Sequence, residues 1–170
     1  MIERLRITAI GATLAATVAA PGVMYYEGLI PSTYVDPVGI ATACWGETGA
    51  HIRPGMTFTL VECQAFLDGS LSRHWAGIER CLGDAEMTVG EAAAVLSWSY
   101  NVGVSAACTS TLARMVRAGV PGETWCHQLG RWTKAGTKAG IKVELPGLVK
   151  RRSAETTLCL TGQWPEWVTS

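Results

Sequence analysis

From Ile7 to Met24 eighteen residues pass without a charge, while the six before them carry Glu3, Arg4 and Arg6. Such a run is long enough for a marginal membrane span. It is poor in bulky apolar side chains. Gly, Ala and Thr fill eleven of the eighteen positions, and the branched aliphatics are Ile7, Ile10, Leu14, Val18 and Val23. At about 0.3–0.6 kcal/mol each, these five favour insertion by only roughly 1.5–3 kcal/mol, which is weak holding for a lasting anchor. The arginines ahead of the run keep the N-terminus inside, so the remainder of the chain is expected to be exported.

Beyond the run, capping and turn signals set the expected elements. Residues 24–29 predict a short helix with Glu27 near its end and Gly28 as the stop. Residues 33–57 are rich in Gly, Pro and Thr and predict a small antiparallel sheet. Thr59 with Glu62 and Thr88 with Glu91 are capping-box pairs, predicting helices to about Cys81 and over 92–102. Further helices fit 110–118, 122–132 and 146–161, and the Gly- and Lys-containing stretch 133–145 reads as a loop. The fold class is α+β, a small antiparallel sheet lobe followed by a larger helical lobe. No repeat and no low-complexity linker divides the chain.

Composition narrows the picture. The chain has 170 residues, enough for one independent core, and its 14 Lys and Arg balance 14 Asp and Glu. No global basic field is present to recruit nucleic acid. Lys150-Arg151-Arg152 is the one local basic cluster singled out, and it reads as a solvated face compensating a helix dipole. Six cysteines, at 44, 63, 81, 108, 126 and 159, suggest an oxidising compartment. No Cys-x-x-Cys pair occurs, and His51, His74 and His127 are scattered, so neither a metal site nor a cofactor is expected. Six cysteines pair in fifteen ways. The simplest is sequential, Cys44–Cys63, Cys81–Cys108 and Cys126–Cys159, each bridge adding roughly 3 kcal/mol.

Three polar residues carry candidate chemistry. Glu27 closes a short apolar segment, Asp36 opens the turn Asp36-Pro37-Val38-Gly39, and Thr42 lies on the next extended run. Taken singly, each has an ordinary structural role. Taken together, one carboxyl can protonate a glycosidic oxygen while the other orients or deprotonates water. Trp45, three residues beyond Thr42, is a candidate to stack on sugar, and Glu47 is either a second cleft carboxylate or a structural group. Trp98, Trp125 and Trp132 read as core, and Trp164 and Trp167 either pack back or lie at a membrane surface.

The spacing of Glu27, Asp36 and Thr42 resembles that of the phage-type lysozymes. So do Ser97-Trp98-Ser99-Tyr100-Asn101-Val102-Gly103 and the run from Gly147 to Cys159. The resemblance covers about 23–162. It implies a cleft between the two lobes, Glu27, Asp36 and Thr42 as the catalytic set, and hydrolysis of the β-1,4 bond between N-acetylmuramic acid and N-acetylglucosamine. It also implies inversion at the sugar. Glu27 would need a raised pKa for its task, which an apolar setting beside Tyr25, Tyr26 and Leu29 can supply. Many relatives carry His where this chain has Glu47. A non-catalytic wall-binding module and a chitinase-like glycosidase are the rival readings.

For the N-terminus three readings stand side by side. They are a signal cleaved after Val18-Ala19-Ala20, a permanent transmembrane helix, and the signal-anchor-release segment of some endolysins. The last fits the weak apolarity best. The expected division is then 1–24 as releasable anchor, 25–162 as catalytic domain and 163–170 as tail. The expected partners are peptidoglycan strands and, through residues 7–24, the inner membrane of a Gram-negative host, with the monomer later released to the periplasm.

Overall fold

The structure is a computed structural model that describes residues 5–6, 9–36, 39–136 and 140–170. The turn residues Pro37 and Val38 and the start of the apolar run, Ile7 and Thr8, fall outside the described residues, as does Met1 to Arg4. After a two-residue strand β1 (Leu5–Arg6) the chain enters one long helix, α1 (Ala9–Glu27). The short helix expected over 24–29 is therefore only the last turn of α1. The apolar segment and Glu27 share one continuous helix with no break at Met24. No described helix is long and apolar enough to cross a membrane.

Alanine supplies helix propensity along α1, and Ala15, Ala19 and Val23, four residues apart, are completely buried. Small side chains on this stripe let α1 lie close against α3 (Val89–Val102), its principal neighbour. Gly28 ends α1 with a φ of +69°, a left-handed conformation that Gly adopts without penalty. The chain then forms a three-stranded antiparallel sheet, β2 (Ile30–Val35), β3 (Ala41–Cys44) and β4 (Glu47–Thr48), in that order. Ile30 faces Cys44 and Tyr34 faces Thr42, with a register shift between them.

Next comes α2 (Leu60–Leu82), opened by the Thr59–Glu62 capping box. The short strand β5 (Glu86–Met87) pairs with β1. Thr88 and Glu91 form the second capping box at the start of α3, where every residue from Gly90 to Ser99 is buried. A helix buried all round is the hub of its domain. Around it stand α4 (Val104–Thr109), α5 (Thr111–Arg117), α6 (Gly122–Trp125) with a 3-10 turn to Arg131, and α7 (Pro146–Thr161). The stretch expected to be a loop instead holds a hairpin of β6 (Lys134–Gly136) and β7 (Lys142–Glu144). After α7 the tail turns back through a short helix, α8 (Glu166–Thr169), with Val168 buried.

The cysteines pair sequentially. Cys44–Cys63 ties the sheet to α2, Cys81–Cys108 ties α2 to α4, and Cys126–Cys159 ties the 3-10 turn to α7, with Cα separations of 5.2, 5.7 and 5.8 Å. Trp98 and Trp125 lie in the core as expected, and Trp132 packs edge-on against Trp98.

Candidate active site

Glu27 is fixed by its position as the last residue of α1, and its carboxyl is partly open, with 24 % of the side chain exposed. Arg151 of α7 holds it from the helical side, Nη1 standing 2.6 Å from Oε1. Oε2 faces the sheet, where a Cβ built on Gly46 would stand 3.9 Å from it. Gly46 has a φ of +86° in the tight turn between β3 and β4, a conformation that glycine adopts without penalty. Glu27 thus sits at the seam between the helical body and the sheet.

Asp36 and Thr42 belong to the β2–β3 hairpin that leads away from this seam. One Asp36 oxygen, Oδ1, accepts from the Ile40 amide at 2.8 Å, and the Ile40 carbonyl accepts from the Asp36 amide at 2.9 Å. The carboxyl is thereby held at the tip of the hairpin. Thr42 is buried opposite Tyr34 and donates its hydroxyl to the Ile40 carbonyl at 3.1 Å. Since Ile30 pairs with Cys44 at the base of the hairpin, the three candidates follow one another from base to tip: Glu27, then Thr42, then Asp36.

Trp45 and Glu47 call for correction. Trp45 is 3 % exposed, and its carbonyl accepts from the Tyr100 hydroxyl at 2.7 Å. The disulfide of the preceding Cys44 pulls this segment inward, so the indole is core and offers no face to a sugar. Glu47 is 5 % exposed and engaged on both oxygens by Arg73 of α2, at 3.1 and 3.2 Å, with His51 Nε2 at 3.2 Å. It is a structural ion-pair partner between sheet and α2, not a carboxylate presented to substrate. Cys44, just before Trp45, takes a φ of +57°, a left-handed conformation that costs a non-glycine residue about 1–2 kcal/mol.

The basic cluster is the second correction. Arg151 and Arg152 are 3 % and 1 % exposed, not a solvated face. They converge on Glu155, which is completely buried. Arg151 Nε and Arg152 Nη2 each stand 3.1 Å from its Oε1, Arg152 Nε stands 2.8 Å from Oε2, and the Ser97 hydroxyl donates to Oε1 at 2.8 Å. Arg152 also donates to Asn101 Oδ1, and Arg151 to the Ser97 carbonyl. Burial pushes the Glu155 carboxyl up from its ordinary value, opposed by the two guanidiniums. Burial pushes Arg152 down to about 10, against the pull of Glu155. Burial also works against the charge on Arg151, but Glu155 and Glu27 overcome it and raise its pKa. Tyr100, beside the same seam, is pushed up to about 12, chiefly by burial. Arg151 is therefore a charged tie between a buried anchor, Glu155, and the partly open Glu27. A Lys-Arg-Arg run with Glu at i+4 and i+3 was the only sequence signal for this tie, and it looks the same as a solvated helix face.

Among the described residues no group of His, Cys, Asp and Glu is arranged to hold a metal ion.

Glu27 therefore lies at the seam of an α+β body, held by Arg151, with Asp36 at the tip of the adjoining hairpin. The phage lysozyme family matches residues 24–155, and the chain belongs to it. It is 36 % identical to the SAR-endolysin of Enterobacteria phage P21 over 157 residues, 90 % of each chain. It is 38 % identical to the SAR-endolysin of Bacteriophage PS119, over 81 % of this chain and 78 % of that one. Its fold is similar to that of an endolysin from Escherichia coli O157:H7 phage FAHEc1 (TM-score 0.76, 24 % identity, 97 % of this chain and 99 % of that one). It is also similar to the muramidase domain of SpmX from Asticaccaulis excentricus (TM-score 0.75, 24 % identity, 91 % and 97 %). The chain is an endolysin with muramidase activity.

Proposed function

We propose that Glu27 is the general acid that protonates the glycosidic oxygen between N-acetylmuramic acid and N-acetylglucosamine. The Arg151–Glu27 contact carries this reading. The guanidinium is bound at Oε1 and fixes the carboxyl, leaving Oε2, the oxygen facing the sheet, as the one turned toward a substrate. Asp36 at the hairpin tip stabilises positive charge at the anomeric carbon and helps to activate water, and Thr42 orients that water. A water placed between two separated carboxyls leads to inversion, which NMR of the first-formed anomer reads directly. The test of the acid is Glu27→Gln, an isosteric change. It should fold normally and lose about 10²–10⁴-fold in lytic rate on outer-membrane-permeabilised Gram-negative cells. Wild-type lysis by this variant would sink the assignment.

Residues 7–24 serve as a membrane anchor that exports the enzyme uncleaved and later releases it into the periplasm, with 25–162 as the catalytic domain and 163–170 as the tail. The SAR-endolysin names of similar proteins and the low apolarity of the run support this. So does the stripe of Ala15, Ala19 and Val23, which matches a seat on α3. In the bilayer the run would hold Glu27 at the lipid surface and keep the enzyme inactive. Fractionation with a lysis time course after collapse of the membrane potential tests this. Full activity in the membrane fraction, or an N-terminus cleaved near Ala20, contradicts it.

A further inference from the structure

Arg151 holds Glu27 from α7, yet the chain beyond α7 also grips α1, at two levels. At the upper level the Trp164 indole N–H donates to the Val18 carbonyl at 2.6 Å. The ring lies where a Cβ on Gly22 would stand, so α1 and Trp164 fit only because residue 22 is glycine. Glycine inside a helix costs about 1 kcal/mol relative to alanine, which is the mark of a packing requirement. Pro21, which removes the donor for the Thr17 carbonyl, lies in the same stretch of α1, one residue before Gly22.

At the lower level Trp167 meets Tyr25 and Tyr26 edge-on, with ring centroids 6.0 and 6.5 Å away. Lys150 Nζ lies 4.3 Å from the Trp167 centroid and donates to the Tyr25 hydroxyl at 2.8 Å. The Tyr26 hydroxyl donates to the Lys150 carbonyl, and the Arg151 guanidinium lies 5.2 Å from the Tyr26 ring centroid. Buried Val168 fixes α8 between the two levels of contact and the body. Tyr26 precedes Glu27 and Lys150 precedes Arg151, so the lower grip is next to both members of the ion pair.

We infer that the C-terminal segment carrying Trp164 and Trp167 is a positioning element of the active site, setting the rotation and depth of the last turns of α1 so that Glu27 meets Arg151. A helix rotates its side chains by about 100° per residue, so a small slip at Val18 or Tyr25 swings the carboxyl off the guanidinium. The inference rests on Glu27 as the acid.

The experiment uses the full chain with Trp164→Phe, which keeps a ring but removes the donor, and Trp167→Ala, with Trp167→Phe as the conservative rescue. Kinetics are measured on soluble glycan fragments, with thermal unfolding in parallel. Val116→Ala, a destabilising change at a buried position of α5 outside the site, controls for stability alone. Trp167→Ala and Trp164→Phe should lower kcat by about tenfold, within reach of a sub-ångström misplacement, with KM within about twofold. Trp167→Phe should recover most of it, and Val116→Ala should keep kcat. Unchanged kcat in folded Trp164→Phe and Trp167→Ala would overturn the inference, as would an equal loss in Val116→Ala. Glu27→Gln in the same series separates the two ideas. If it is inactive while the tail variants are normal, only the positioning role falls. If it is active, the acid assignment falls.

Discussion

The two longest helices, α1 and α2, are made by opposite means. Helix α2 begins with a complete capping box, ends at Gly83, and buries one face while Glu62, Asp68 and Arg80 mark its polar side. Its own sequence dictates where it starts and which face it buries. Helix α1 has no charged residue before Glu27, no basic residue in its last turn, and both Pro21 and Gly22 in its interior. Its place comes from its neighbours: α3 beneath Ala15, Ala19 and Val23, Arg151 at its end and the two tail tryptophans along its side. Glu27, the proposed acid, is carried by the helix that depends on its surroundings, and the disulfide-bonded support is the helix that does not.

The largest effect expected from breaking this contrast is at Arg151. Arg151→Ala leaves Glu155 buried with a lost partner and Glu27 untied, and should lower stability by about 3–5 kcal/mol. Arg73→Ala on α2 also removes a guanidinium from a buried carboxylate, but His51 remains on Glu47 and the Arg73 side chain is mostly exposed. Its loss should be only about 1–2 kcal/mol. Urea denaturation of both variants decides, and equal losses would remove the distinction.

Gly22 of α1 and Gly69 of α2 should respond with opposite signs. Gly22→Ala drives a methyl into the Trp164 ring and should cost about 1–3 kcal/mol despite the better helix propensity. Gly69→Ala in α2 meets only the flexible end of Arg73, 3.3 Å away, and should gain about 0.5–1 kcal/mol. Melting curves at one pH read both. A gain at Gly22 would mean that Trp164 is not seated as described.

Leucine substitutions sharpen the same contrast within α1. Ala15 is completely buried, whereas Ala16 borders a cavity of about 560 Å³ between α1 and α2. Ala15→Leu should be destabilising by about 1–3 kcal/mol through overpacking, and Ala16→Leu nearly neutral. Thermal unfolding of the two variants reads the difference. On the release reading both should also delay lysis by strengthening membrane retention.

The smallest effect concerns pH. The Thr59 amide and hydroxyl hold Glu62 below its ordinary carboxylate value. A carboxylate depressed in the folded state stabilises above its unfolded pKa, and that stabilisation is lost as pH falls through the folded value. Glu62→Gln should therefore flatten the acid limb of the stability curve slightly. An NMR titration of the Glu62 carboxyl with an ordinary midpoint would contradict this.

The same division explains what could be read in the sequence. Capping boxes at Thr59 and Thr88 are local chemistry, visible in four residues, and both are present as expected. The sequential cysteine pairing and the lobe order also agree with short-range patterns. The burial of Arg151 and Arg152 was hidden because it depends on Ser97 and Asn101, some fifty residues away. Trp45 looked available because aromatic character does not say which side of a strand end faces the core. The continuity of α1 through Gly22 depends on a residue far along the chain, since Trp164 packs where a side chain at 22 would stand. Likewise, the hairpin of β6 and β7 has too few strand-forming residues to announce itself.

The stripe of small residues along α1 has a consequence for how the segment can vary. On the release reading these residues must satisfy two solvents in succession, hydrocarbon and the protein interior. Larger side chains improve the first and are refused by the second at Ala15, Ala19 and Gly22, where no room exists. Polar replacements are penalised in both. What remains is a narrow alphabet of Ala, Gly and Thr, so the segment's plain composition is the intersection of two solubility requirements and should drift less than an ordinary membrane anchor.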